Sequence, residues 1–244
     1  MRVGTALGIP IFLHWTFLVL LGGVMLWAAS VGGFGALPLV AAMLVGVAGT
    51  VVLHELGHAY AARQYGIRTA HITLYPFGGI AAIEQMPEEP SQELVIALAG
   101  PAVNFALFAG LGLGWSATGV ELVGLLAVMN LGMGLFNLIP AFPMDGGRVL
   151  RAALASRIGF LPASKLAIRV GIVFAWLFLA LGLYLWSPSL LMVGGFLHVA
   201  LAIERNRLVW THYHQSTGFT PPWDPDDVFK RSTRTTMGPG LFRA

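Results

Sequence analysis

His54-Glu55-Leu56-Gly57-His58 lies inside an apolar stretch that runs from Leu37 to Ala62, and the reading of that stretch decides both fold and chemistry. Residues four apart on a helix sit about 40° apart around its axis, so both imidazoles can reach one ion. Glu55 stands beside that ion, where it can take a proton from water held there. The apolar setting strengthens the reading. An ionisable residue near the centre of a membrane helix costs about 2.5–3.5 kcal/mol on insertion scales, so its presence argues for a use.

The surrounding chain fits a membrane. Of its 244 residues, 57% are hydrophobic and 10% charged, against about a quarter charged in a soluble domain. No cysteine occurs, which excludes disulfides and thiolate metal sites. Six apolar segments can be drawn: Ile11–Ala29, Leu37–Ala62, Leu94–Trp115, Leu122–Ile139, Leu166–Trp186 and Ser189–Ile203. Most approach the roughly 20 residues that cross the hydrocarbon; the sixth is short. Alternating through them puts all 14 Lys and Arg on one side. The positive-inside rule then makes that side, with both termini, cytoplasmic. The basic balance is thus a topology signal, and nucleic acid is not an expected partner. Arg2, an apolar run and Ala28-Ala29-Ser30 have the order of a signal peptide, but the run is longer than a signal core and is read as a span.

Between the spans, three stretches carry information. His71–Ile80 is too polar and broken to cross, and its β-branched and aromatic residues suit an extended segment, at the surface or at membrane level. Ala99-Gly100-Pro101-Ala102-Val103-Asn104 puts small residues and an amide into the third span, for close packing and interhelical hydrogen bonding. Asn137-Leu138-Ile139-Pro140-Ala141-Phe142-Pro143-Met144-Asp145-Gly146-Gly147 breaks the fourth span while still apolar, leaving Asp145 at the hydrocarbon edge. A carboxylate there is costly unless paired or metal-bound. Catalytic zinc takes three protein ligands and an open position. His54 and His58 supply two, and Asp145 is the best-placed third on the same side. Glu84, Glu88, Glu89 and Glu93 share that side, with less reason to be submerged.

In these three motifs, in this order, the chain resembles the site-2 protease family of intramembrane zinc metalloproteases. The resemblance covers about Arg2 to Arg205. It implies an all-α polytopic membrane protein of six transmembrane helices, with a three-helix catalytic core over about 37–150 and a short membrane-level β segment. It implies one Zn²⁺ held by His54, His58 and Asp145, with Glu55 as general base, in a bacterial or archaeal cell membrane. It implies substrates that are membrane-spanning segments of other proteins, held as an added strand on Tyr75–Ile80 by way of Tyr75, Gly78 and Gly79. Asn137 is a candidate oxyanion donor, and Asn104 is expected to act more as interhelical glue than on substrate. Residues 206–244 are expected to form a short cytoplasmic tail with little order.

Other readings have simpler content. His14, His71 and His198 read as structural or interfacial, and Trp15, Trp115 and Trp186 as interface anchors. The Arg148–Arg169 cluster reads as setting topology and meeting anionic membrane lipid. Homo-oligomerisation is left open. A non-catalytic homologue that binds membrane segments conflicts with an intact Glu55, and a metal or ion carrier lacks the inverted repeats such proteins often carry.

Overall fold

The computed structural model describes residues 1–83 and 89–217, without side chains for 211–217. Its elements are β1 (Arg2–Ala6), β2 (Ile9–Leu13), α1 (Trp15–Gly32), α2 (Leu37–Gln64), β3 (Thr69–Tyr75) and β4 (Gly78–Ile83). Then follow α3 (Pro90–Thr118), α4 (Glu121–Asn137), α5 (Asp145–Ile158), α6 (Phe160–Tyr184) and α7 (Pro188–Thr217). Among the described residues, five helices are long and apolar enough to cross a membrane: α1, α2 with the short turn before it, α3, α6 and α7 to Trp210. The remaining apolar helix, α4, has 17 residues, or about 25 Å of rise against a hydrocarbon core of about 30 Å.

Pairing constrains the crossings. β2 and β3 lie side by side and parallel, with Ile11 opposite Ile72 and Leu13 opposite Leu74. The chain between them is α1 and α2, which must therefore go out and return. Arg151 in α5 pairs with Glu93 at the start of α3 and with Glu204 in α7. That requires α3 and α4 to make a second out-and-back pair, short α4 included, and α6 and α7 a third. Of the six spans expected from hydropathy, five are thus found by length and composition, and the fourth is the shorter apolar helix α4.

Four details differ from the expectation. The first span begins at Trp15, because Ile9–Leu13 is a strand hydrogen-bonded to both β1 and β3. The extended segment is part of a four-stranded sheet ordered β1-β2-β3-β4. Strand β2 overlaps an apolar run that reads as helix, since Ile9–Leu13 is apolar throughout and shows no alternation. The 145–169 stretch also contains a separate helix, α5, whose Arg151 is buried between helices rather than turned to lipid headgroups. Helix α7 runs past Arg205 to Thr217, so no helix end marks the expected tail boundary; residues 218–244 lie outside the described residues.

The buried apolar core lies where the broken segment meets α6 and α7: Ala141, Phe142 and Met144 against Ala167, Ile168, Ala175, Leu197 and Leu201. A second cluster of Ala61, Ala62, Ile67 and Ile96, with Ile83 against it, seats the sheet on α2 and α3. Alternate residues of a strand share a face, so Gly79, Ala81 and Ile83 of β4 face α2 together. Strand β4 therefore tracks along α2, with Gly79 against Glu55 and Ile83 near Ala61 and Ala62.

Candidate metal centre

Helix α2 presents His54 and His58 on one buried face, and their exposures are 3% and 4%. Close approach of α3 to that face depends on glycine. A Cβ on Gly57 would stand 2.8 Å from the Ala99 carbonyl oxygen, and a Cβ on Gly100 would run into the His58 ring and lie 2.8 Å from His54 Cε1. Proline at 101 lacks an N–H for the Ala97 carbonyl and crowds that turn. The neighbouring carbonyl, that of Ile96, accepts from His58 Nδ1 at 2.7 Å.

The third group arrives by a different route. After α4 ends at Asn137, residues 138–144 fold back in turns, and Gly146 and Gly147 pack directly on the Leu138–Phe142 backbone. A side chain at either glycine would collide with that backbone, so the double glycine lets the turn close tightly. Asp145 opens α5 at its first position and reaches the histidines. Its Oδ2 is 3.1 Å from His54 Nε2 and 3.2 Å from His58 Nε2, and the two Nε2 atoms are 3.1 Å apart.

Proton positions on this triangle follow from fixed acceptors. The Ile96 carbonyl can only accept, so His58 carries its proton on Nδ1 and leaves a lone pair on Nε2. Asn130 Nδ2 donates to the Leu126 carbonyl at 2.8 Å and to Thr50 Oγ1 at 3.2 Å, which orients its amide. Its Oδ1 then accepts from Asn104 Nδ2 at 3.2 Å, and Asn104 Oδ1 faces His54 Nδ1 at 2.5 Å. His54 is thereby also protonated on Nδ1 and bare at Nε2. Three lone-pair atoms, two imidazole nitrogens and a carboxylate oxygen, converge within a buried space, and among the described residues Asp145 Oδ2 has no hydrogen-bond donor. One proton could bridge one pair but would leave the third atom facing a lone pair. A divalent cation satisfies all three. Tetrahedral ligands at about 2.0–2.1 Å from zinc stand about 3.3 Å apart, which the observed edges match closely. The donor set of two imidazoles and one carboxylate also suits zinc.

Glu55 lies between the histidines on α2, half-buried, against β4. A Cβ built on Gly79 would be 2.5 Å from Glu55 Cγ and 2.9 Å from Oε1, so only glycine leaves this carboxylate its place. Tyr75 is not on an open strand. β3 is covered by β2 and β4, and the Tyr75 ring stacks on His14 at 4.7 Å and on Phe77 at 5.4 Å. Among the described residues the free edge beside the site is β4, Gly78–Ile83, which carries Gly78 and Gly79. Asn104 is fully buried and orients His54. Asn137 is half-buried at the end of α4 and donates to the Met133 carbonyl at 3.0 Å. Of the other acids, Glu93 is buried in an ion pair and away from the triangle's hydrogen bonds, while Glu84 and Glu88 lie outside the described residues. Sequence reading missed Asn130 and Thr50; the available signal was an amide at 130 in an otherwise apolar helix, which needs partners.

A bundle of apolar helices that buries two imidazoles and a carboxylate around one point defines a polytopic membrane protein with a metal centre. Comparison with known proteins makes the class specific. The family model of peptidase family M50 matches residues 42–115 and 112–178. A zinc metalloprotease of Methanocaldococcus jannaschii is 38% identical over 213 residues, covering 85% of this chain and 61% of that protein. Stage IV sporulation protein FB of Bacillus subtilis is 31% identical over 134 residues, covering 52% of this chain and 45% of its own. The solved structure of a site-2 protease from Methanocaldococcus jannaschii superposes with a TM-score of 0.65 at 36% identity, over 84% of this chain and 94% of that one. The chain spans less than two thirds of the length of these two curated relatives, 61% and 45%. This chain belongs to peptidase family M50, the family of the site-2 proteases, and is a multi-pass membrane protein.

Proposed function

We propose that this protein is an intramembrane zinc metalloendopeptidase that hydrolyses peptide bonds in or near membrane-spanning segments of other proteins. The observation that carries the reading is the buried triangle of three lone-pair atoms at tetrahedral spacing, with a carboxylate beside it. In this reading His54, His58 and Asp145 hold one zinc ion, and Glu55 is the general base. When bound, zinc supplies Lewis acidity that makes water acidic near neutral pH and polarises a carbonyl.

The chain's own groups do the remaining work. Glu55 takes a proton from the water that attacks the scissile carbonyl; a C–O bond forms, the C–N bond breaks, and Glu55 returns the proton to the leaving amine. Asn104 and the Ile96 carbonyl hold the two Nδ1 protons, which keeps both Nε2 atoms turned to the ion. A helical peptide bond is shielded by its own hydrogen bonds, so substrate must unwind locally. The edge of β4, unpaired among the described residues, supports strand addition here, because β4 runs along α2 from Glu55 and would lay an added strand beside the metal. Asn137 has one amide N–H committed to Met133 and retains a second as an oxyanion donor. The placing of the basic residues supports a cytoplasmic mouth near Pro140–Gly147.

The test is cleavage of a panel of single-span reporter segments by purified wild type and Glu55→Gln, with metal content measured in both. The reading expects zinc near one per chain in both proteins and cutting by wild type alone. Equal cutting by Glu55→Gln would refute the assigned base, and a folded wild type without metal would refute the site.

A further inference from the structure

We propose that Arg151 is a positioning residue for the metal centre, holding Asp145 at its place in the triangle through Glu93. The inference rests on the metal-centre reading above and concerns how the third ligand, which arrives on a separate helix, is kept in register with the two histidines.

Arg151 is 2% exposed, in the interior of a membrane protein, yet it touches neither the triangle nor Glu55. Its Nε lies 3.1 and 3.3 Å from the two Glu93 carboxylate oxygens, and Nη2 also meets Glu93 Oε1, so the contact is bidentate. Nη1 reaches Glu204 of α7 at 3.4 Å. Phe142 and Phe160 sit beside the guanidinium, at 5.1 and 4.9 Å from ring centroid to Cζ. Replacing a whole buried ion pair by apolar residues is often neutral or stabilising, so stability alone does not account for the Arg151–Glu93 pair.

A closed ring of contacts suggests what it does. Asp145 meets His58 Nε2; His58 Nδ1 donates to the Ile96 carbonyl of α3. One turn earlier on α3 stands Glu93, which binds Arg151; and six residues back along α5 is Asp145 again. The six-residue step turns about 240° around the helix and rises about 9 Å, so Arg151 and Asp145 occupy different faces. With Asp145 turned to α2 and Arg151 hooked to α3, neither rotation nor sliding of α5 is free. Phe142 extends the hold, since it lies in the folded-back segment on which Gly147 packs and against which Arg151 stacks. Removing the clamp leaves all three ligands present and lets α5 shift relative to α2.

The test uses the full chain, purified in detergent: wild type, Arg151→Met, Arg151→Lys, the double variant Glu93→Leu with Arg151→Met, and Asp145→Ala. Zinc affinity is read by competition with a chromogenic chelator, and coordination by the visible bands of the cobalt-loaded protein. Thermal unfolding of the metal-free form reports folding independently. The double variant has no uncompensated buried charge, so it decides the matter if Arg151→Met fails to fold. The clamp predicts zinc bound about 10–100-fold more weakly in Arg151→Met and in the double variant, with altered cobalt bands, and a smaller loss in Arg151→Lys. Wild-type zinc affinity and unchanged bands in a folded double variant would overturn it, whatever its melting temperature. A wild type that takes up no zinc, or an Asp145→Ala that binds it equally well, would instead overturn the metal-centre reading beneath it.

Discussion

Helices α1 and α3 are both apolar enough to cross a membrane, yet they have little else in common. Across its 18 residues α1 buries Ala28 alone, and large side chains such as Val19 and Trp27 stand mostly exposed. Helix α3 buries Glu93, Ile96, Ala97, Gly100, Pro101 and Asn104, all in its first half. Four of those six are an acid, a glycine, a proline and an amide. Lipid tails are as apolar as leucine, so burying leucine against protein gains little over leaving it in lipid. Packing in the bilayer is specified instead by small residues that admit close approach and by polar groups that have nowhere else to bond. Hydropathy places both helices in the membrane; the exceptions to hydropathy say which one builds the site.

Substitutions should therefore have very unequal effects in the two helices. The largest is expected at Gly100. Alanine there drives a methyl into the His58 ring, and since both histidines are held from behind, the collision should weaken zinc binding more than 100-fold in a chelator competition. Next comes Gly79, whose replacement by alanine pushes on Glu55 without touching a ligand. Turnover should fall about 100-fold, as displacements of about 1 Å can cost that much, while zinc content by mass spectrometry stays near one per chain. Asn104→Ala removes the acceptor for His54 Nδ1 and should weaken zinc about 10–100-fold. Asn104→Asp, which keeps that acceptor, should recover part of the loss. The smallest effect belongs to α1: Val19→Ala should shift stability by no more than about 0.5 kcal/mol and leave zinc affinity unchanged. A Val19→Ala loss comparable to that of Asn104→Ala would break the comparison.

The same distinction explains what could be read from the chain beforehand. His54 and His58 announced themselves because spacing on one helix is local information. The double-proline, double-glycine break before and after Met144 was visible too, and it marked where an aspartate would be held in irregular backbone. The convergence of Asp145 on the histidines could be argued only from membrane side, since nothing in the sequence fixes the rotation of α5. Arg151 shows the limit most clearly. Among so many cytoplasmic-side arginines it looked like one more topology signal, and its partners, Glu93 and Glu204, are 58 and 53 residues away. Strands β1 and β2 were hidden for a related reason. Ile9–Leu13 is apolar enough to start a helix, and the neighbour that makes it a strand, β3, lies some sixty residues downstream.

Within the metal centre the polar file deserves separate weight from the ligands. Thr50, Asn130, Asn104 and His54 connect α2, α3 and α4 by hydrogen bonds that end on a backbone carbonyl. A backbone acceptor cannot be reversed, so the orientation of every amide in the file, and the tautomer of His54, descends from it. This explains why amides serve in these positions where leucine would cross the membrane more readily. It also separates two kinds of loss: removing Asn130 should disturb His54 through Asn104, whereas removing His58 removes a donor outright.

The most direct measurement is X-ray absorption at the zinc edge on the purified wild type and on Asp145→Ala. The account predicts a wild-type shell of two imidazole nitrogens with oxygen donors at about 2.0–2.1 Å, and loss of an oxygen donor or of the metal in Asp145→Ala. A zinc shell without imidazole scattering, or one unchanged by Asp145→Ala, would contradict it.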